Sequence, residues 1–336
     1  MKTWKKLLMA VAPVALLAFA GPASAGSYYK GKTITLIVPN SPAGMMSRYA
    51  HLLAPVIAKK LGAADMRVKN IKGGGGLKGT NVLWASKPDG LTIGFTNVPA
   101  LIVAQLAKSP GVRFDATKLT YLGRAAAEPR VLYTGAKDPI KNAKDLLSLK
   151  RPFKYAAQGT DEDFYSAAVF AKAAGFPITM ITGYEGDADS LLAVIKGDAD
   201  GHLTSLTSAR ASFKAGDTRP LVFFTSKRNK EHPDVPTVLE LVKDPSKKAA
   251  LEAIVSIVAM SRGFFGPANM NAEATKEMRA AIEATLTDLA VLKEAGARHM
   301  PIVSWPGAEQ QVQVKKIVAA SHDLTPILQA ALKSIK

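Results

Sequence analysis

Between residues 33 and 96 the chain alternates short apolar runs with helical stretches, and that rhythm admits few folds. Residues 33–39 (TITLIVP) are unbroken apolar and β-branched, as in a strand buried on both faces. Residues 47–61 carry helical spacing and stop before Gly62. Residues 67–71 (RVKNI) predict a strand, and 77–86 a helix broken by Pro88-Asp89-Gly90. Residues 91–96 (LTIGFT) predict the next strand. A β-α-β-α-β order implies parallel strands joined by right-handed crossovers.

The rhythm restarts after about Arg124. Strands are expected at 130–134, 153–157, 178–182, 201–204 and 221–225, with helices at 142–149, 160–174 and 187–196. A further apolar strand is expected at 254–260, then helical stretches at 272–295 and 307–336. The reading is two α/β lobes, each a mixed, mainly parallel sheet flanked by helices. Residues 26–124 and 254–336 form the first lobe and 125–253 the second, with the last helices packing back on the first. Ligands of open α/β sheets sit beyond the carboxyl ends of strands, so two such lobes enclose a cleft.

The start of the chain predicts export. Lys2, Lys5 and Lys6 precede an uncharged run at 7–20, and Ala23-Ser24-Ala25 offers a small-x-small cleavage site. The run is shorter than the ~20 residues of a spanning helix. Removal of residues 1–25 leaves 41 basic and 27 acidic side chains, a charge of +14. That balance favours anionic partners, or serves solubility alone. The basic residues are scattered, which argues against nucleic acid. The chain has no cysteine, so disulfides, thiol catalysis and a lipid tether are excluded. A soluble, unlipidated periplasmic protein is expected.

Three loops stand out. Val38-Pro39-Asn40-Ser41-Pro42-Ala43-Gly44-Met45-Met46-Ser47 runs from strand to helix through a Pro/Gly turn. Free amides at such a helix start favour a carboxylate or phosphate. An ordinary turn capped by Ser47 reads equally well. Gly73-Gly74-Gly75-Gly76-Leu77-Lys78-Gly79-Thr80 formally contains G-x-G-x-x-G. It sits in the second βα unit, and Asp89, the nearest acid at the required distance, lies in a turn. Its order is Lys-Gly-Thr, not Gly-Lys-Thr, so it is no phosphate loop either. Close passage of backbone past a loop or ligand explains the glycines better. In the second lobe, Gln158-Gly159-Thr160-Asp161 precedes a helix and could hold a ligand's other end. Thr160 there reads as helix cap with Asp163 three residues on. Asp161, Glu162 and Asp163 would repel an anion unless they point outward.

Catalysis finds little support. The five histidines show no metal spacing, there is no G-x-S-x-G elbow, and the Gly-Asp repeats at 186–189 and 197–200 read as turns. No cofactor is expected.

Seven segments, in order, resemble the solute-binding proteins of tripartite tricarboxylate transporters, the Bug-type family. They are ITLIVPNSPAG (34–44), VKNIKGGGGLKG (68–79), PDGLT (88–92), AQGT (157–160), KGDAD (196–200), PDVPTVLE (233–240) and FGPA (265–268). The resemblance implies a two-lobed, type II-like periplasmic-binding-protein fold that closes on a small carboxylate by hinge motion. It also implies a non-enzymatic monomer serving the membrane components of such a transporter. The residues expected at the ligand are Pro42, Ala43, Gly44, Met45, Met46, Ser47, Gly75, Gly76, Asn97, Gln158, Gly159, Thr160, Asp161, Tyr184, Thr204 and Ser205. Where the family often has Gly-x-Thr-Asp, this chain has Gly44-Met45-Met46-Ser47. Losing that acid disfavours amino acids, and the methionines favour an apolar or aromatic body. Tyr49, Phe164 and Tyr184 are candidates to wall it, or are core. The ligand class is therefore a dicarboxylate, tricarboxylate or aromatic carboxylate. An exported α/β enzyme using the glycine loop on a phosphate-bearing substrate, a receptor of another transporter class, and a sensor are the competing readings.

Overall fold

The computed structural model describes residues 27–334, so the predicted leader lies outside the described residues. The first unit opens with β1 (Thr33–Val38), α1 (Met45–Leu61), β2 (Asp65–Asn70), α2 (Leu77–Trp84), β3 (Thr92–Asn97), α3 (Val98–Leu106) and β4 (Thr120–Ala126). The second comprises β5 (Arg130–Gly135), α4 (Ala143–Leu147), β6 (Phe153–Ala157), α5 (Glu162–Ala174), β7 (Ile178–Thr182), α6 (Asp187–Lys196), β8 (Gly201–Ser205), α7 (Leu206–Ala215) and β9 (Thr218–Phe224). After α8 (Val238–Leu241) and α9 (Pro245–Val258), β10 (Arg262–Gly266) rejoins the first sheet. The chain ends with α10 (Ala272–Leu286), α11 (Leu289–Ala297), β11 (Trp305–Pro306), α12 (Gly307–Ala320) and α13 (Thr325–Lys333).

The sheets run β11-β4-β10-β3-β1-β2 and β7-β6-β8-β5-β9. Among the described strands, parallel pairing joins β1 with β2 and β3, and β6 with β7 and β8. The strands bordering the crossings between lobes, β4, β5 and β10, pair antiparallel. Each sheet is therefore mixed, with a smaller parallel share than expected.

The local chemistry explains the elements. The apolar run of β1 is buried from Leu36 to Val38, and α1 stops where Gly62 takes a left-handed φ of 63°. The strand expected at 254–260 is instead the end of α9. Its Leu251, Ile254, Val255 and Val258 are buried at i, i+3, i+4 and i+7, a helical stripe inside a run apolar enough to pass for a strand. The long helical stretches each break in two, at Thr287-Asp288 and across residues 321–324. Against expectation, α13 packs on α5 of the second lobe, while α10 packs on α1 and α12 on β4.

One buried apolar cluster unites the lobes along a flank, from Ile102 on α3 through Phe164 and Val169 on α5 to Ile254 on α9 and Leu328 on α13. Beside this seam the carboxyl end of β3 meets the turn after β6, where Asn97 Nδ2 donates to Glu162 Oε2 at 2.9 Å.

Candidate functional site

In the first lobe the turn after β1 is rigid. Asn70 ends β2 opposite Val38, and its Nδ2 donates to Asn40 O at 2.9 Å and to Ser47 Oγ at 2.6 Å. Ser47 Oγ donates in turn to Ser41 O at 2.9 Å, and Thr96 Oγ1 to Asn40 Oδ1 at 3.1 Å. Gly44, not Ser47, occupies the cap position. No side chain caps α1, and its first turn holds no acid. Helical hydrogen bonding begins with Arg48 N to Gly44 O at 3.2 Å, after the amides of Met45, Met46 and Ser47. Pro42 and Ala43 are exposed, Gly44 and Met45 half-buried, and Met46 and Ser47 buried.

The glycine run packs behind this turn. Gly73 to Gly76 all have positive φ, from 58° to 135°. A Cβ on Gly79 would lie 2.7 Å from Pro39 Cβ, so only glycine lets α2 approach. Gly76 rests on Pro39 O, while Gly75 meets the second lobe: its Cβ would sit 3.3 Å from Thr160 O.

The second-lobe turn differs. Asp161, not Thr160, caps α5, its Oδ1 accepting from Phe164 N at 3.0 Å. The acids that follow point inward. Arg130, at the start of β5, donates to Glu162 Oε2 at 2.8 Å and lies 3.3 Å from Asp163 Oδ1. Glu162 is completely buried and also accepts from Asn97 Nδ2 of the first lobe at 2.9 Å and Ser166 Oγ at 3.1 Å. Burial pulls the Arg130 pKa down, but Asp163 and Glu162 outweigh it and hold the guanidinium charged. Burial raises Asp163 well above the ordinary carboxylate range despite Arg130. It raises Asp161 to about 6, with Glu162 adding to the rise and the Phe164 amide opposing it.

Beside this turn Asp187 opens α6. Its Oδ1 accepts from Gln158 Nε2 at 2.7 Å and Thr204 Oγ1 at 2.9 Å, and His202 Nε2 lies 3.5 Å away. His202 is buried, with Nδ1 2.7 Å from Ala156 O. Burial raises the Asp187 pKa, but hydrogen bonding and charge from His202, with Ser208 and Gln158, hold it well below the ordinary value. Ser205 caps α7 and accepts from Arg262 of the first lobe at 3.2 Å. Arg262, opposite Asn97 in the sheet, forms a buried pair with Glu128, whose carboxylate lies 3.1 Å from the Tyr49 hydroxyl.

Of the expected residues, 42–47 and 158–161 lie on two turns, one in each lobe, while Gly75, Gly76, Asn97, Tyr184, Thr204 and Ser205 lie beside them. Gly75 with Thr160, Asn97 with Glu162, Ser205 with Arg262 and Lys72 with Glu185 at 3.6 Å touch across the lobes. Tyr49 and Phe164 are fully buried core and wall nothing, whereas Tyr184 is half-buried beside α6. Sequence reasoning missed Asn40, Asn70 and Thr96 as braces, and Arg130, Asp187 and Arg262 as the charged frame. Their one shared signal is a polar residue at a strand end or helix start. A separate recess of about 930 Å³, beside Lys118, Lys276, Arg279 and Lys315, shares no residue with the turns.

Residues 49–329 match the tripartite tricarboxylate transporter family receptor. The chain is 26% identical over 235 residues to protein BugT of Bordetella pertussis, covering 68% of this chain and 71% of that one. It is 27% identical over 243 residues to a UPF0065 protein of Bordetella bronchiseptica, covering 69% of each. The fold is that of periplasmic binding protein BugD, with a TM-score of 0.72 at 19% identity over 89% of this chain and 98% of that one. MatC of Rhodopseudomonas palustris, solved with malate, gives 0.70 at 20% identity, covering 88% and 99%. A Rhodopseudomonas palustris protein solved with adipate gives 0.71 at 20%, covering 88% and 97%. The chain therefore belongs to the tripartite tricarboxylate transporter receptor family, and is a solute receptor rather than an enzyme.

Proposed function

We propose that the cleft holds a small organic acid by a carboxylate set against the first turn of α1, and that the receptor delivers it to tripartite membrane components. The observation that carries this reading is the start of α1: braced by Asn70, uncapped and free of acids, in a turn whose Pro39 meets Gly76 while the adjoining Gly75 meets Thr160 of the other lobe. Amides and helix dipole there favour a negative group. The structures with malate and adipate support the same ligand class. Around that carboxylate we place Pro42, Ala43, Gly44, Met45, Met46 and Ser47, with Gln158, Gly159, Thr160 and Asp161 closing from the second lobe. Tyr184, Thr204, Ser205 and Asn97 frame the sides, and Gly75 and Gly76 let the lobes approach.

The test is ligand binding by the chain from residue 26 onward. Native mass spectrometry of freshly purified protein reveals a retained ligand. Thermal shift against malate, adipate, citrate, benzoate and aspartate, each beside its uncharged amide, reads the class. At least one acid should stabilise the protein where its amide does not; stabilisation by amides alone sinks the reading. Export with cleavage after Ala25 into the periplasm, and a monomeric state, belong to the same proposal. Intact mass of the periplasmic fraction and size-exclusion chromatography check them.

A further inference from the structure

We infer that Asp187 selects the ligand's far end: it favours a carboxylic acid ending in an N–H or O–H donor, an ammonium or hydroxyl group, over one ending in a second carboxylate. This rests on the reading of the cleft as an acid site, and assigns the opposite wall a role.

Position comes first. Asp187 opens α6 after β7, and its Oδ1 is bonded to Gln158 beyond β6 and Thr204 at the end of β8. Three strand ends of the second lobe converge on one carboxylate. Four of the contacts that join the lobes involve its neighbours: Glu185 two residues before it, Thr160 and Glu162 on the adjoining turn, and Ser205 beside Thr204. Asp187 therefore lies within the ring where the lobes close.

Occupancy comes second. Glu162, an acid with a structural role, is completely buried and surrounded by Arg130, Asn97 and Ser166. Asp187 spends one oxygen on Gln158 and Thr204 and keeps 43% of its side chain accessible. It remains an ionised acceptor with capacity for a further donor.

Charge comes third. Arg130 is bonded to Glu162 and lies 3.3 Å from Asp163, whereas the basic group beside Asp187 is the imidazole of His202, its Nε2 3.5 Å from Oδ1. A second carboxylate here would approach the ionised Asp187 carboxylate itself, a like charge, whereas an ammonium or hydroxyl would gain a charge-assisted hydrogen bond to its accessible side. The acid absent from the first-lobe loop thus has a counterpart across the cleft. Selection for a donor moves from the turn of α1 to the start of α6.

Matched ligands test this by isothermal titration. Within chains of four, five and six carbons, the ω-amino acid, the ω-hydroxy acid, the diacid and the plain monoacid are compared on wild type, D187N and D187S. Wild type should bind a donor-bearing acid at least about tenfold more tightly than the diacid of equal length. Both variants should narrow or reverse that ratio by about tenfold, the ammonium ligand losing more than the hydroxyl one. A merely structural Asp187 would weaken all four acids together. Diacids preferred by wild type, or a ratio unchanged within twofold in both variants, overturn the selection while leaving the acid site standing. Failure of every acid in this panel removes the selection, and failure of citrate, benzoate, malate, adipate and aspartate as well removes the acid site.

Discussion

The turns that open α1 and α5 lie one in each lobe and follow the same strand-loop-helix plan, yet one is free of acids and the other carries three. The turn before α1 is held by neutral groups, Asn70, Asn40 and Thr96, and leaves its helix start without cap or acid. The turn before α5 caps itself with Asp161 and carries two more acids, held by Arg130. A helix N-terminus is an anion site only where the chain has not already supplied the anion. Under the acid site proposed above, the ligand's carboxylate belongs at the first lobe, and the second is left to recognise something else.

The largest break comes at Arg130. Arg130→Ala leaves Glu162 and Asp163 buried without their cation, which costs about 3–5 kcal/mol. Urea unfolding checks it, and a loss under about 1 kcal/mol means the acids are neutralised otherwise. Next, Met45→Asp gives the first turn the acid that the second already has. Stability should hold or rise by about 0.5 kcal/mol, since the carboxylate suits the helix dipole. Affinity for the best-bound acid should fall at least about tenfold. Titration calorimetry beside thermal melts reads the opposed changes; affinity intact would show that the ligand's charge lies elsewhere.

Asp161→Asn sharpens the comparison by pH. Asparagine caps about as well as aspartate. An aspartate in the unfolded chain titrates near 3.9, and Asp161 in the folded chain near 6. Between these values the folded chain binds the extra proton, so this group's contribution falls as pH rises and its cost is complete above 6. D161N should therefore stabilise the protein by about 1 kcal/mol at pH 7.5, after allowance for solvent screening, and not at pH 3.5. Equal gains at both would place the effect outside the titration.

Much of the comparison was legible in the sequence, and its asymmetry was not. Residues 33–39 declare a buried strand because hydrophobic burial is written residue by residue, and Gly44 and Gly159 mark turns for the same local reason. The pairing of Arg130 with Glu162 joins residues 32 apart, and no periodicity encodes which way Asp163 faces. Asn70 acts as a brace only because strand register sets it beside the end of β1. Residues 254–260 failed for a different reason: a short, continuously apolar run satisfies both periods, and only its contact with α5 settles it as helix.

The smallest effect belongs to the rim. Lys72 and Glu185 bridge the lobes at 3.6 Å, but their side chains are 68% and 79% exposed. Water solvates both ions nearly as well apart as together, and ordering two long side chains offsets part of the attraction. Lys72→Ala should therefore shift stability by under about 0.5 kcal/mol and ligand affinity by less than about twofold, at low salt only. Titration in 20 mM and 500 mM salt separates this from a real latch. A loss beyond about fivefold that persists at high salt would mean that charge across the rim, rather than the two turns, holds the lobes together. The contrast between the helix starts would then no longer explain where the ligand's charge is recognised.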